Sequence, residues 1–326
     1  ERIARENPDS PNAARATYAL GVAERESGNL DAAARYFSRV IEDFPNADVA
    51  PAAAYDLAAT NVRREDFEAA ARSFEQLSRR YPSSPYSENL GTAVAEVYYE
   101  LGQYDRVVQD LRPRLSSLPV GERARGTFFL AESYNQLGDT ENAIVYYRQL
   151  IDSERPSPYV RPAHYGLGWN YLRSGEPQEA ARSFSQVRAV ATGNESRDDL
   201  SMRATYYEAV ALTQASRSDR AQQLFRSVTE TWPNGDLAAA ARHELGILQY
   251  RTQDYGGAAA SFRDVIRRSP GDALLGDAYY MLGNAYTALN DLDPALDAYT
   301  QAVRRDAAPD SLRREVQFQK AWTLYE

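Results

Sequence analysis

The sequence predicts an all-α solenoid of antiparallel helix pairs, and three observations predict it. A pattern of small, large and proline positions recurs eight times along the 326 residues, mostly at a step of 37. In the second half of nearly every unit, a small residue and a large one stand four places apart, one turn along a single helix face. Prolines then close most of those halves, because the residue before proline is pushed out of the helical region. A fixed period of this length marks a repeat architecture, in which each unit buries its apolar face against its neighbours.

The first unit carries Leu20-Gly21, Gly28-Asn29-Leu30, Ala33, Phe37 and Pro45. The second repeats these marks at Leu57-Ala58, Phe67, Ala70, Phe74 and Pro82, and the third at Val94-Ala95, Tyr98, Gly102-Gln103-Tyr104, Leu111 and Pro119. Units four and five offer Leu130-Ala131, Tyr134, Gly138, Ala143 and Tyr147, then Leu167-Gly168, Tyr171, Gly175, Ala180 and Phe184. The sixth has Ala209, Leu212, Ala221, Phe225 and Pro233, and the seventh Leu245-Gly246, Tyr255, Ala258, Phe262 and Pro270. The eighth has Leu282-Gly283, Tyr286, Ala295 and Tyr299, and a half unit over 318–325 follows. Each unit thus reads as a helix, a short turn and a second helix. The small residue of the first helix lets its partner approach, and the large residue of the second fills the space between them.

The whole chain, 1–326, is expected to form one solenoid, with repeats starting near 14, 51, 88, 124, 161, 202, 239 and 276 and a half repeat from 311. Residues 1–8 read as the tail of a second helix, and 311–326 as a first helix without its partner. Both ends are therefore expected to cut through repeats of a longer protein, leaving Phe318, Trp322 and Tyr325 partly bare. One break in rhythm falls between units five and six, where the step is 41 and residues 192–200 supply the surplus. A surface loop is the plain reading of that surplus; a contact loop or hinge is the functional one.

This spacing resembles the tetratricopeptide repeat over nearly the whole chain. The resemblance implies a right-handed superhelical solenoid whose first helices line a concave groove, and a non-catalytic protein–protein interaction scaffold. The family's usual period is about 34; the extra residues here sit at proline-rich junctions, at 46–51, 83–86 and 271–275. Those junctions look like the bacterial envelope subgroup, including the outer-membrane assembly lipoproteins and the Tol-Pal-associated periplasmic coordinator. The likeness favours the periplasm or cell envelope, although cytoplasmic solenoids carry the same junction.

Composition narrows the function further. The formal charge is −9 and the pI about 5.0, a poor match for nucleic-acid phosphates or anionic membranes. Lys320 is the one lysine; GC-rich coding gives such usage, and so would a halophile-like acidic surface. There are no cysteines, which removes disulfides, thiolate metal sites and cysteine nucleophiles. No apolar run is long enough to span a membrane, and no signal peptide is visible, though the chain begins mid-element.

Catalytic chemistry has no foothold. His164 and His243 lie two repeats apart and read as partly buried helix residues. Gly166-Leu167-Gly168 lacks the third glycine of a dinucleotide motif, and Asn290-Asp291-Leu292-Asp293 lacks the glycine and distant glutamate of a calcium loop. No metal, cofactor or catalytic residue is expected.

A partner segment is expected in the concave groove. The first inner position is aromatic in most units (Tyr18, Tyr55, Phe128, Tyr165, Tyr206, Tyr280 and Phe318), and such regularity more often maintains stacking than selects a ligand. The following inner positions vary, as a specific groove requires. The candidate contact residues are Tyr55, Glu96, Tyr99, Phe128, Glu132, Tyr165, Trp169, Tyr206, Tyr250 and Tyr280. Among them Tyr165, Trp169, Tyr206 and Tyr250 are expected to form the densest aromatic patch, and Glu96, Glu100 and Glu132 an acidic stretch. An extended or helical protein segment with apolar side chains and Arg or Lys fits this face. The Lys, Arg and Asn set that family members use to grip acidic chaperone tails is missing here. Two alternatives remain: a substrate-recruiting or regulatory module of a larger enzyme or regulator, and a glycan or cell-wall binder using aromatic stacking.

Overall fold

One backbone angle sets the hairpin of every whole repeat. In the computed structural model, which describes residues 11–88, 90–153, 157–268, 273–304 and 310–325, each paired first helix ends in a residue with φ between +59° and +81°. Glycine takes this left-handed position at Gly28, Gly102, Gly138 and Gly175. Glu65, Ser216, Gln253 and Asn290 take it in the other four units. The next residue's N–H then bonds the carbonyl five places back, as in Asn29 to Glu24 at 2.9 Å and Asp254 to Gln249 at 2.8 Å. This is the Schellman closure, which satisfies the last free carbonyls of a helix. Asp66, Asp139 and Asp254 stand immediately afterwards and cap the second helix by accepting the N–H groups of Ala69, Asn142 and Gly257.

The chain divides into two compact units, one ending at Tyr159 and one beginning at Val160. The first contains α1 (Pro11–Glu26), α2 (Leu30–Asp43), α3 (Ala50–Arg63), α4 (Phe67–Arg80), the single turn α5 (Pro85–Glu88), α6 (Ala93–Glu100), α7 (Tyr104–Arg114), α8 (Val120–Gln136) and α9 (Thr140–Ile151). The second contains α10 (Val160–Arg173), α11 (Pro177–Ala189), α12 (Asp199–Gln214), α13 (Ser218–Thr231), α14 (Ala238–Arg251), α15 (Tyr255–Arg268), α16 (Leu275–Ala288), α17 (Leu292–Val303) and α18 (Asp310–Tyr325). Within each unit every long helix packs on the next, and the described residues form no strand. This is an all-α tetratricopeptide-type solenoid. The predicted helical tail over 1–8 lies outside the described residues.

The small-and-large pattern becomes a contact that the sequence left general. A Cβ built on Gly21 would lie 2.7 Å from the Phe37 ring, and one on Gly168 would lie 2.7 Å from Phe184. Gly246 against Phe262 and Gly283 against Tyr299 repeat the same fit. The large residue of each second helix therefore fills the notch left by the small residue of its own first helix. Phe37, Phe74, Tyr147, Phe184, Phe225, Phe262 and Tyr299 are all fully buried as a result.

The third repeat departs from the pattern. Its first helix is shortened to the eight residues of α6, preceded by α5 and a turn at Gly91 with φ +56°. A carboxylate from the next repeat sits at this break. Glu122 of α8 accepts the Thr92 N–H at 2.9 Å and occupies the space a Cβ on Gly91 would need. The 41-residue step also has a defined structure. Residues Gly193–Arg197 form a 3-10 turn closed by a capping box between Thr192 and Glu195. Arg161 of α10, its side chain 12% exposed, holds that turn through Asp198 (2.8 Å), the Glu195 carbonyl (3.1 Å), Ser201 (3.0 Å) and the Val187 carbonyl (3.2 Å). Trp232 donates its indole N–H to the Arg197 carbonyl at 2.8 Å. The surplus segment is thus pinned to three neighbouring helices.

Candidate partner-binding site

The aromatics at the first inner position lie on the large residues of their own repeats. Ring centres are 5.8 Å apart for Tyr18 and Phe37, 6.1 Å for Tyr55 and Phe74, and 5.6 Å for Tyr165 and Phe184. Tyr206 with Phe225 (5.5 Å), His243 with Phe262 (5.6 Å) and Tyr280 with Tyr299 (6.1 Å) continue the row. Each tyrosine stays half-buried, with one face on the core. Burial pushes the Tyr206 hydroxyl up to about 12, so it is neutral and a hydrogen-bond donor at physiological pH.

The residue immediately after that position reaches back to the preceding repeat, and sequence reasoning missed this set. Asp56 accepts the Tyr18 hydroxyl at 2.7 Å, Phe129 lies 5.5 Å from Tyr99, and Tyr207 lies 4.5 Å from Trp169. Met281 joins the cluster containing Ile247 and Tyr250. These residues vary from unit to unit as strongly as the positions chosen from the sequence. That variation was the available signal.

In the second unit Tyr207 is the hub of the aromatic patch. It meets Trp169 at 4.5 Å, Tyr206 at 5.1 Å, Phe184 at 6.0 Å and Tyr165 at 6.2 Å. Three of the four residues expected in the densest patch therefore gather around a residue outside that set. The fourth, Tyr250, packs on Tyr255 at 5.3 Å.

In the first unit Tyr55 packs at a tilt on Tyr86 at 5.7 Å, Tyr99 meets Tyr104 edge-on at 5.3 Å, and Phe128 stacks on Tyr159 at 5.1 Å. Two carboxylates of the expected acidic stretch, Glu96 and Glu132, are engaged from within. Glu96 is ion-paired with Arg125, a residue four places before Phe129 whose guanidinium also lies over that ring. Glu132 accepts the Tyr147 hydroxyl at 2.5 Å and the Tyr99 hydroxyl at 3.4 Å. Burial raises the Glu132 pKa above the usual carboxylate range, against the opposing pull of those two hydrogen bonds. A separate open hollow of about 520 Å³ lies between α4 and α7, floored by Phe74, Leu90 and Val94 and rimmed by Arg79 and Arg114. Both histidines are buried in first helices, and His243 contacts Asp277 at 2.7 Å. Among the described residues no group of three or more His, Asp or Glu is placed to hold a metal ion. No described helix is long and apolar enough to cross a membrane.

Stacked helix pairs with a variable, aromatic first-helix face define a class of protein: a repeat scaffold that binds other proteins. The comparisons agree. Tetratricopeptide repeat families match residues 1–48, 165–236 and 208–273, residues 124–156, and residues 276–307. The chain belongs to the tetratricopeptide repeat proteins. Residues 47–132 match a family described as outer membrane lipoprotein, so the chain resembles envelope-type members. Among curated proteins it is similar to the protein CTR9 homolog of Arabidopsis thaliana, at 25% identity over 224 residues. That match covers 67% of this chain but 19% of the relative, so the chain spans about a fifth of that protein's length. Among solved structures it is similar to the C-terminal part of a TPR repeat-containing protein from Cytophaga hutchinsonii, with TM-score 0.64, 19% identity and coverage of 79% of this chain and 97% of that one. BtubC from P. vanneervenii follows at TM-score 0.50 and 20% identity, covering 62% and 88%. Both likenesses are of fold.

Proposed function

We propose that the chain holds a protein partner by an extended or helical segment laid along the first-helix face, with the aromatic patch around Tyr207 as its anchor. The observation that carries this is the packing of Trp169, Tyr206 and Tyr165 on Tyr207, at 4.5, 5.1 and 6.2 Å, while all four stay half-buried. Core packing is already supplied by Phe184 and Phe225, which are fully buried beneath them. Clustered, partly exposed Trp and Tyr with fixed rotamers are the residues that dominate interface energies. On this reading the remaining candidates, Tyr55, Tyr99, Phe128, Tyr250 and Tyr280, extend the contact within their own units.

The likeness of residues 47–132 to an outer membrane lipoprotein family supports work in a bacterial envelope. Fractionation of cells producing the full reading frame tests that location. A second reading has one observation in its favour: the matched repeats are a fifth of the CTR9 homolog, which suits a recruiting module within a larger protein.

Affinity capture with the whole chain as bait, beside its Trp169→Ala variant, tests the anchor. Partners identified by mass spectrometry should be lost from the variant while far-UV circular dichroism is retained. Equal recovery on both baits, at matched thermal midpoints, would sink the anchor.

A further inference from the structure

Two repeats of this chain solve the same local problem differently, and the difference leaves one carboxylate without a cation. In the first repeat Tyr18 donates its hydroxyl to Asp56, 38 residues later, at 2.7 Å. Arg25, two turns along α1 from Tyr18, completes the group. Its guanidinium meets Asp56 at 2.5 Å and lies 5.7 Å from the centre of the Phe37 ring. Carboxylate, cation and aromatic floor are all supplied by the chain.

The sixth repeat keeps the aromatic floor of that arrangement at Tyr206 but neither its hydrogen bond nor its ion pair. Its floor is Phe225, 5.5 Å away, as Phe37 is the floor for Tyr18. The residue 38 places after Tyr206 is Glu244, at the position of Asp56, and its charge acts on Tyr206. The residue seven places after Tyr206 is Thr213, where the first repeat has Arg25. Thr213 turns its hydroxyl to its own helix, onto the Ala209 carbonyl at 2.9 Å. Glu244 enters no hydrogen bond or ion pair among the described residues. The side chains flanking it, His243 and Asp277, contact each other at 2.7 Å. Glu244 is half-buried, and burial raises its pKa above the usual carboxylate range. An ionised carboxylate in such a place is held at a cost that a partnering cation would remove.

We propose that the space vacated by Arg25 in the sixth repeat is a binding pocket for a guanidinium from the partner segment, which pairs with Glu244 and lies over the Phe225 and Tyr206 rings. Arginine fits better than lysine, because a planar guanidinium can stack on a ring and bond a carboxylate together. The Trp169–Tyr207 patch, which joins this pocket through Tyr206, takes the apolar neighbours of that arginine. The pocket deepens the reading of the first-helix face as the binding face and rests on it.

The test uses an acetylated, amidated leucine–arginine–leucine peptide and its neutral citrulline counterpart, titrated calorimetrically into the whole chain at low salt. The arginine peptide should bind about ten-fold more tightly, the scale of one partly desolvated charge pair. Glu244→Gln keeps the shape of the side chain and should bring the two peptides within about two-fold of each other. Thr213→Arg restores the arginine of the first repeat, so it should fill the pocket and abolish the preference. A preference below about five-fold in the unaltered chain, one that survives Glu244→Gln, or no binding of either peptide would overturn the pocket. Partner capture separates this from the broader reading. If Trp169→Ala loses its partners and Glu244→Gln keeps them, the face stands and the pocket falls. If neither variant loses partners, both fall.

Discussion

Replacing Ser216 and Gln253 together by glycine should stabilise the second unit. Both residues sit at the left-handed turn position, with φ of +59° and +65°. Both are exposed, and neither side chain makes a hydrogen bond among the described residues, so the change removes no contact. A side chain in this conformation costs about 1–2 kcal/mol, because Cβ crowds the following carbonyl. Glycine escapes that cost but gives back roughly 0.5–1 kcal/mol through the greater freedom of its unfolded chain. The net gain is about 0.5–1 kcal/mol per turn. Different turns share no partners, so the double variant should gain about 1–2 kcal/mol. For a unit of this size that is a rise of roughly 2–8 °C in the thermal midpoint. Repeat arrays unfold unit by unit, so a fragment from Val160 onward, urea denaturation and far-UV circular dichroism suit the measurement. The reverse change, Gly175→Gln at φ +74°, should lower the midpoint. A double variant that is unchanged or weaker, beside a silent Gly175→Gln, would show that the turn angle carries no strain.

Further predictions concern the packing and the charges. Gly168→Val, whose Cβ would sit 2.7 Å from the Phe184 ring, should cost about 1–3 kcal/mol by overpacking, and Phe184→Leu in the same chain should recover part of it. Arg161→Ala removes the clamp on Gly193–Arg197 and should cost about 2 kcal/mol, with faster amide exchange across that turn. Arg161 also holds the Asp198 carboxyl below the usual carboxylate range. That support is full above the unfolded value of about 3.9 and is lost as pH falls through the folded one. Stability of the Arg161→Ala variant should therefore fall less steeply than the parent's below about pH 4. Glu132 titrates with the opposite sign, since burial raises its pKa. Its contribution is full below about pH 4.3 and is lost as pH rises through the folded value. Glu132→Gln should therefore gain stability relative to the parent between pH 4 and pH 7, measured by urea midpoints.

Sequence alone determined the helix pairs, their order and their core. The glycine and aromatic of one repeat keep a constant spacing, as in Gly21 with Phe37 and Gly168 with Phe184, so their contact is written into the period itself. The same holds for the turns, which fall at one register whether the residue is Gly28 or Gln253. Partial exposure of the last helix was legible too: Phe318, Trp322 and Tyr325 are 60%, 47% and 84% exposed. Contacts between repeats were not legible. Tertiary structure alone shows that Tyr207 gathers Trp169 and Tyr165, that Arg125 neutralises Glu96, that Glu122 bonds the start of a first helix one repeat earlier, and that Arg161 pins the surplus turn. The physical reason is geometric. Contacts inside a repeat follow from helical periodicity and a short turn, both local. Contacts across repeats depend on how each first helix is rotated against the next and on how far a long side chain reaches, and no periodic pattern encodes either.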